Sequence, residues 1–487
     1  MRNQLYFRLD TVSLPASATP IGSGRYRVRS KKYNNLILVS WPNGRPCHLA
    51  NHWLLTISSK TNALETPRVY ASQISHLLRY CSTHRTELWD LTDDLFFDFT
   101  KGLQHQRKLV KGFQEPKRGH THIRAVQLRC LNFLLWISDT FPFLTPQRLI
   151  GTSDCTPKIT INFKTNPYNG RLEIDHPDLV SPAPPLDDKG VITEKAIQSI
   201  QDAIFRSHNI SDLPTQALTM LKHDRALFEM RNTYIYERRI FMIRMMKLTG
   251  LRPEELIDIP LSLNLDVQSK LHIAIPTKKQ GYPAPIRKFH ISSRAALNFD
   301  RYLSHRNIFL DKLLEAGIIG SKPEAILLTT SGAPFKKPSM TKDFDRLCLA
   351  AGLGDVRSCL SMFRHRFITR EIHILLIERF EKNPHFKIAW TAALRDDVCF
   401  IVAQKTGHKH PESLHVYFHE EHRLLTNNPD EARTRNNVEM LDEAQEALID
   451  LKFNSQLKPS ESISNDIDQI QSNIDRLYAK IFGSDSP

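Results

Sequence analysis

The chain has 487 residues and lacks the marks of several protein classes. Its seven cysteines are odd in number, widely scattered and without a CxxC pair, which argues against a disulfide framework or a cysteine zinc site and for a reducing compartment. Eighteen glycines and 28 prolines are too few for collagen-like or low-complexity material. The longest apolar runs, such as residues 132–137 and 374–377, fall far short of the ~20 residues that span a bilayer, so no membrane partner is expected. The opening MRNQLYFRLD has no apolar signal-peptide core, which points to a cytoplasmic location.

What the sequence does have is positive charge. Lys and Arg total 66 against 52 Asp and Glu, a formal net of +14. The sign is unevenly placed: residues 430–487 hold 12 acids and 6 bases, so the tail carries −6 and the rest of the chain +20. A basic body of this kind fits a polyanion, and nucleic acid is the commonest one.

Periodicity and punctuation divide the chain into five segments. Residues 1–62 form a strand-prone extension, a possible arm. Within it 26–39 and 45–58 look like strands joined by the turn Pro42-Asn43-Gly44. Residues 63–143 read as helical, with apolar positions Ile74, Leu77, Leu78 and Cys81, then Leu95, Phe96 and Phe99, at helical spacing and Thr92 as a cap. A basic stretch in this segment holds Arg107, Lys108, Lys111, Lys117, Arg118 and Arg124. Residues 144–186, ending in Ser181-Pro182-Ala183-Pro184-Pro185, read as an extended linker.

Residues 187–425 open with Thr193 as a cap and read as mainly helical. One small sheet is expected from strands at 263–267, 271–276 and 286–292, with Lys278 and Lys279 in the turn between the last two. The acidic tail, 426–487, carries Ile463, Ile467, Ile470, Ile474, Leu477 and Ile481 in a heptad stripe, which needs an apolar surface on its own body or on another protomer. The fold class is therefore mainly α with a small antiparallel sheet.

Three short motifs carry chemistry. In Thr249-Gly250-Leu251-Arg252-Pro253-Glu254-Glu255-Leu256, glycine permits a sharp turn after an apolar helix, and Glu255 can reach back to the Arg252 guanidinium. In Ser361-Met362-Phe363-Arg364-His365, a guanidinium stands among apolar residues at a helix start, where it needs a partner or an anion. Thr406-Gly407-His408 is followed nine residues later by Tyr417. Singly, each has a plainer reading: a surface ion pair, a turn cap, a core tyrosine. The histidines His408, His410, His415, His419 and His422 have no cysteine nearby, and Glu420 and Glu421 fall on another face of the helical wheel from His415 and His419, so no metal site is expected.

Together, these motifs resemble the tyrosine recombinase, or phage integrase-like, family of site-specific recombinases. The order Arg252 with Glu255, the Lys278/Lys279 turn, Arg364, Gly407-His408 and Tyr417 is similar to that of the family, and 63–143 resembles its core-binding domain. The resemblance implies DNA integration or recombination by a strand transferase that uses neither metal, ATP nor any other cofactor. Tyr417 would form a 3′-phosphotyrosyl intermediate. Arg252 and Arg364 would bind the phosphate, and Lys278 or Lys279 would protonate the leaving oxygen. His408 would donate to the phosphate or position Tyr417, with Glu255, Gly407 and His365 in support. It further implies a clamp on double-stranded DNA and a homotetramer that trades its tails.

Two features depart from the family. Ser361 stands where the family usually has histidine, and serine can donate a hydrogen bond but cannot serve as an imidazole base. The interval of 44 residues from Arg364 to His408 is long, consistent with an insertion near 374–395. The serine motivates one alternative, an accessory DNA-binding relative. A type IB topoisomerase-like enzyme is the other.

Overall fold

The structure is a computed structural model that describes residues 4–21, 24–60, 65–110, 112–165, 170, 172–181, 190–208, 225–280, 283–356, 358–387, 390–427, single positions between 437 and 448, and 461–482. It is mainly helical, with five two-stranded sheets among these residues, four antiparallel and one parallel. The chain divides into two compact units, Met1–Asp188 and Lys189–Pro487.

In the first unit, Tyr6–Pro20 and Tyr26–Val39 form a long antiparallel ribbon, with Tyr6 opposite Val39 and Pro20 opposite Tyr26. Among the described residues its base is anchored in the core, through Leu5, Ile37 and Val39. The expected strand at 45–58 is corrected: the segment is the helix His48–Lys60. Ala50, Trp53 and Leu54 recur at helical spacing and are buried together, and that packing outweighs local strand propensity. The Pro42–Gly44 turn exists but joins strand to helix, closed by the Trp41 amide donating to the Arg45 carbonyl at 2.7 Å.

Helices Glu65–His84, Asp93–His105 and His120–Thr140 pack against this base around one core. Thr92 caps the second of them, its hydroxyl accepting from the Leu95 amide. The linker reading of 144–186 is also corrected. Leu149, Ile150, Ile159, Ile161, Ile174 and Val180 are buried in that same core. His176 reaches Asp93 at 3.0 Å, and Asp93 accepts from the Thr160 amide, so this stretch is fastened to the start of a helix. The Pro-rich positions 182–185 lie outside the described residues.

The second unit builds its core on the helix Arg225–Thr249, flanked by Glu194–His208, Ser293–Glu315, Lys337–Ala350 and Ser361–Lys382. Thr193 caps the first of these, accepting from the Ala196 amide at 3.2 Å. A second apolar cluster joins Ser361–Lys382 to Ala392–Thr406 and His415–Asn427. One hairpin, His272–Pro276 with Ile286–His290, is present. The third strand expected at 263–267 is absent. Buried Asn264 bonds the Pro260 and Ala274 carbonyls and accepts from the Ala274 amide, so a side-chain amide satisfies the backbone that a strand would have paired.

Candidate active site

The site begins where the helix Arg225–Thr249 ends. Gly250 turns the chain at φ +56°, and a Cβ there would stand 2.5 Å from the Phe367 ring, so both conformation and space require glycine. Arg252 then stands at the N-cap of Pro253–Ile257. Its amide donates to Glu255 Oε2 at 2.9 Å and its Nη1 to Glu255 Oε1 at 2.8 Å. The carboxylate is fully buried. It accepts two further bonds, from the Lys278 amide to Oε1 at 3.0 Å and from Arg287 Nη2 to Oε2 at 3.0 Å. Burial raises the Glu255 pKa, but the charge and hydrogen bond of Arg287 and then those of Arg252 bring it below the ordinary value.

Arg287 escaped the sequence reading. It lies on Ile286–His290, whose exposure alternates so that Arg287 and Phe289 face inward while Ile286, Lys288 and His290 face out. An arginine at an inward position of an amphipathic strand was the available signal. Besides Glu255, it donates to the Thr277 hydroxyl at 3.2 Å. Of the two hairpin lysines, Lys278 places its ammonium 2.5 Å from Asp258, while Lys279 is exposed at the turn with φ +69°.

Arg364 comes from the first turn of Ser361–Lys382 and is buried. It donates to the Gly250 carbonyl at 3.0 Å and the Thr406 carbonyl at 2.8 Å, and its Nη2 lies 3.1 Å from His408 Nε2. These partners are two carbonyls and an imidazole, and none is an anion. Burial, then repulsion from Arg252, lowers the Arg364 pKa from 12.5 to about 9, so it remains a cation at neutral pH.

His408 follows Gly407, whose φ of +67° ends the helix Ala392–Thr406. A Cβ at Gly407 would meet Thr277 at 2.6 Å and Arg287 at 3.1 Å, so this glycine lets the hairpin approach, and its carbonyl accepts from Gln280. The Thr406 hydroxyl donates to the Val402 carbonyl and lies 2.6 Å from His408 Nδ1. That arrangement puts the ring proton on Nδ1 and leaves Nε2 as the acceptor toward Arg364. Burial, then Arg364 and Arg252, lower the His408 pKa to about 3, and the ring is neutral at pH 7.

Tyr417, half-buried on His415–Asn427, has its hydroxyl hydrogen-bonded to His365 Nδ1, and the two rings stack at 5.8 Å. Burial, then the charge of Glu420, raises the phenol pKa, while Arg364 pulls the other way. Ser361 is exposed, and its hydroxyl meets Cys359 Sγ at 3.0 Å. A cavity of about 400 Å³ lined by Thr277, Gln280, Arg287, Gly407, His408 and Lys409 opens beside these groups.

Arg107–Val110 and Phe113–Pro116 form a small hairpin, with Arg107, Lys108 and Lys117 exposed. Lys111 lies outside the described residues. Arg118 bonds Gln106 at 2.6 Å and lies 3.3 Å from His76, and Arg124 bonds the Val180 carbonyl. His415 pairs with Asp396 at 3.3 Å, His419 packs on Trp390, and His422 bonds the Phe386 carbonyl. Among the described residues no group of three or more His, Cys, Asp or Glu is arranged to hold a metal ion, and no helix is long and apolar enough to cross a membrane. In the tail helix Glu461–Phe482, Ile467, Ile470, Ile474 and Leu477 pack on Leu441, Ala444 and Leu448 of the same chain. The Ile463 and Ile481 side chains lie outside the described residues.

The chain matches solved structures at low identity and with TM-scores below 0.5. It is similar to the XerH site-specific recombinase bound to difH substrate in a pre-cleavage complex, with 12% identity, a TM-score of 0.41 and coverage of 77% of this chain and 81% of that one. The post-cleavage complex of XerH with palindromic difH substrate gives 12% identity, a TM-score of 0.44 and coverage of 78% and 83%. The XerA recombinase gives 11% identity, a TM-score of 0.29 and coverage of 76% and 92%. No family model matches the chain, and no curated protein matches it.

Proposed function

We propose that this chain is a site-specific DNA recombinase that cuts and rejoins duplex DNA through a 3′-phosphotyrosyl bond on Tyr417. The observation that carries this reading is Arg364: a buried cation bonded only to neutral groups, beside a second guanidinium that repels it, and next in sequence to the histidine that touches Tyr417. Glu255 offsets part of the charge of Arg252 and Arg287 but makes no bond to Arg364. A phosphodiester would supply the missing anion, and planar guanidinium forks match its oxygens.

In this mechanism Tyr417 Oη attacks phosphorus, the P–O5′ bond breaks, and the turn lysine, Lys278 or Lys279, protonates the departing oxygen. Negative charge on the non-bridging oxygens falls to Arg252 and Arg364, held in place before the reaction by Glu255, Gly250 and Thr406. The new ester keeps the energy of the broken one, so attack by a 5′-hydroxyl reseals the strand without ATP. His408, neutral and bonded to Arg364, acts by fixing that guanidinium.

DNA affinity comes from surfaces outside the site. Arg27, Arg29 and Lys31 alternate along the ribbon strand, opposite Thr19, Ser17 and Leu14, and so share one face. A two-stranded ribbon is narrow enough for a major groove. Exposed Arg107, Lys108 and Lys117 add phosphate contacts. Each chain holds one nucleophile, so exchanging all four strands of two duplexes takes four copies.

The test is covalent capture from a library of nicked duplexes of randomised sequence. The wild-type chain is expected to leave a detergent-resistant protein–DNA species, and Tyr417→Phe and Arg364→Ala are expected to leave none. DNA binding without any such species would contradict the reading and favour an accessory factor. Relaxation of supercoils irrespective of sequence would favour a topoisomerase.

A further inference from the structure

We propose that His365 is the catalytic residue that takes the phenolic proton of Tyr417 as it attacks, an inference that rests on the recombinase reading above. His365 Nδ1 is hydrogen-bonded to the Tyr417 hydroxyl, and the rings stack with planes 23° apart. His365 lies four residues after Ser361 on one helix, so the two share a face one turn apart. The imidazole missing at 361 is therefore present one turn further along the same face.

His408 gives its ring atoms to Thr406 and Arg364, and the Ser361 hydroxyl meets Cys359. The need for an acceptor is physical: burial and Glu420 raise the phenol pKa, so unaided ionisation at neutral pH is disfavoured. Accepting at Nδ1 requires the Nε2–H tautomer. As the Oη–P bond forms, the proton passes from Oη to Nδ1 and gives an imidazolium. The P–O5′ bond breaks, and the leaving oxygen takes a separate proton from the turn lysine. Resealing returns the first proton to Oη.

The experiment measures single-turnover covalent complex formation on a nicked duplex captured by the wild-type chain. One set carries the natural 5′-oxygen at the scissile phosphate and another a 5′-sulfur, which leaves without protonation. His365→Ala is expected to slow cleavage about 10²–10⁴-fold, the usual contribution of a positioned base. The deficit is expected to be equal on both substrates and partly reversed by added imidazole. An unchanged rate overturns the proposal. So does a deficit abolished by the sulfur leaving group, which would place His365 on the other proton, and so does a deficit that imidazole leaves untouched. Should His365→Ala fail to fold, His365→Gln keeps a hydrogen-bond acceptor for Tyr417 without usable basicity, and a wild-type rate in that variant overturns the proposal equally. No covalent complex with the wild-type chain would remove the recombinase reading and this proposal together, whereas a wild-type complex with an indifferent His365 removes the proposal alone.

Discussion

Arg287 Nη2 lies 3.0 Å from Glu255 Oε2, and Arg252 Nη1 lies 2.8 Å from Oε1 of the same carboxylate. One buried anion thus aligns two guanidiniums from elements that are distant along the chain, and it fixes the Lys278 amide as well. Glu255→Gln would leave two partly buried cations without their buried counter-charge. Breaking a buried pair in this way costs about 3–5 kcal/mol. Urea denaturation should show that loss, and a variant as stable as wild type would mean that the carboxylate does not hold the two guanidiniums in place.

Asp343 plays a comparable part in the core of the second unit. It is buried and pairs with Arg238 at 2.9 Å and Arg239 at 2.7 Å. Asp343→Ala is expected to destabilise the unit by about 3–5 kcal/mol for the same reason. Burial raises the Asp343 pKa, but the hydrogen bond and charge of Arg239, then Arg238, bring it below 3.8. A depressed carboxylate pKa gives stability that is present above 3.8 and is lost as pH falls through the folded value. Wild type should therefore lose stability in that acid range more steeply than Asp343→Ala, as thermal melts across the range would show.

His408 makes a second pH-dependent contribution. Folded, it protonates only near pH 3; unfolded, near 6.5. Between these values the unfolded chain binds the extra proton, so stability falls as pH drops from 6.5. His408→Gln removes that proton uptake. Its melting temperature should change less than wild type's between about pH 7.5 and about pH 5, and an unchanged difference would contradict the neutral ring.

The ribbon makes an electrostatic prediction. Replacing Arg27, Arg29 and Lys31 together by alanine should weaken binding to duplexes of any sequence. It should also reduce the magnitude of the slope of log K against log salt by about 0.9 for each phosphate that is no longer neutralised. A variant with the wild-type slope would show that this face does not meet DNA.

The parts of this site that were legible in the sequence are local ones. The Arg252–Glu255 contact follows from three-residue helical spacing, and the turns at Gly250 and Gly407 follow from glycine at helix ends. Thr92 and Thr193 announced their helices because a hydroxyl before an apolar period is a short-range signal. What escaped depends on tertiary packing. Arg287 finds Glu255 32 residues away, and His365 meets Tyr417 only because two helices pack around Ile368, Ile372, Leu414 and Phe418. The helix at His48–Lys60 and the burial of Leu149, Ile150, Ile159, Ile161, Ile174 and Val180 were missed for the same reason: both are decided by a core assembled from elsewhere.

The proposed reaction makes a covalent bond between Tyr417 and a DNA 3′-phosphate. Its most direct measurement is mass spectrometry of the protease-digested wild-type adduct, formed on a nicked duplex in the presence of a metal chelator and without ATP. A nucleotide is expected on the peptide that contains Tyr417, with a free 5′-hydroxyl on the released strand. A nucleotide on any other residue, or a 5′-phosphate on the released strand, would contradict it.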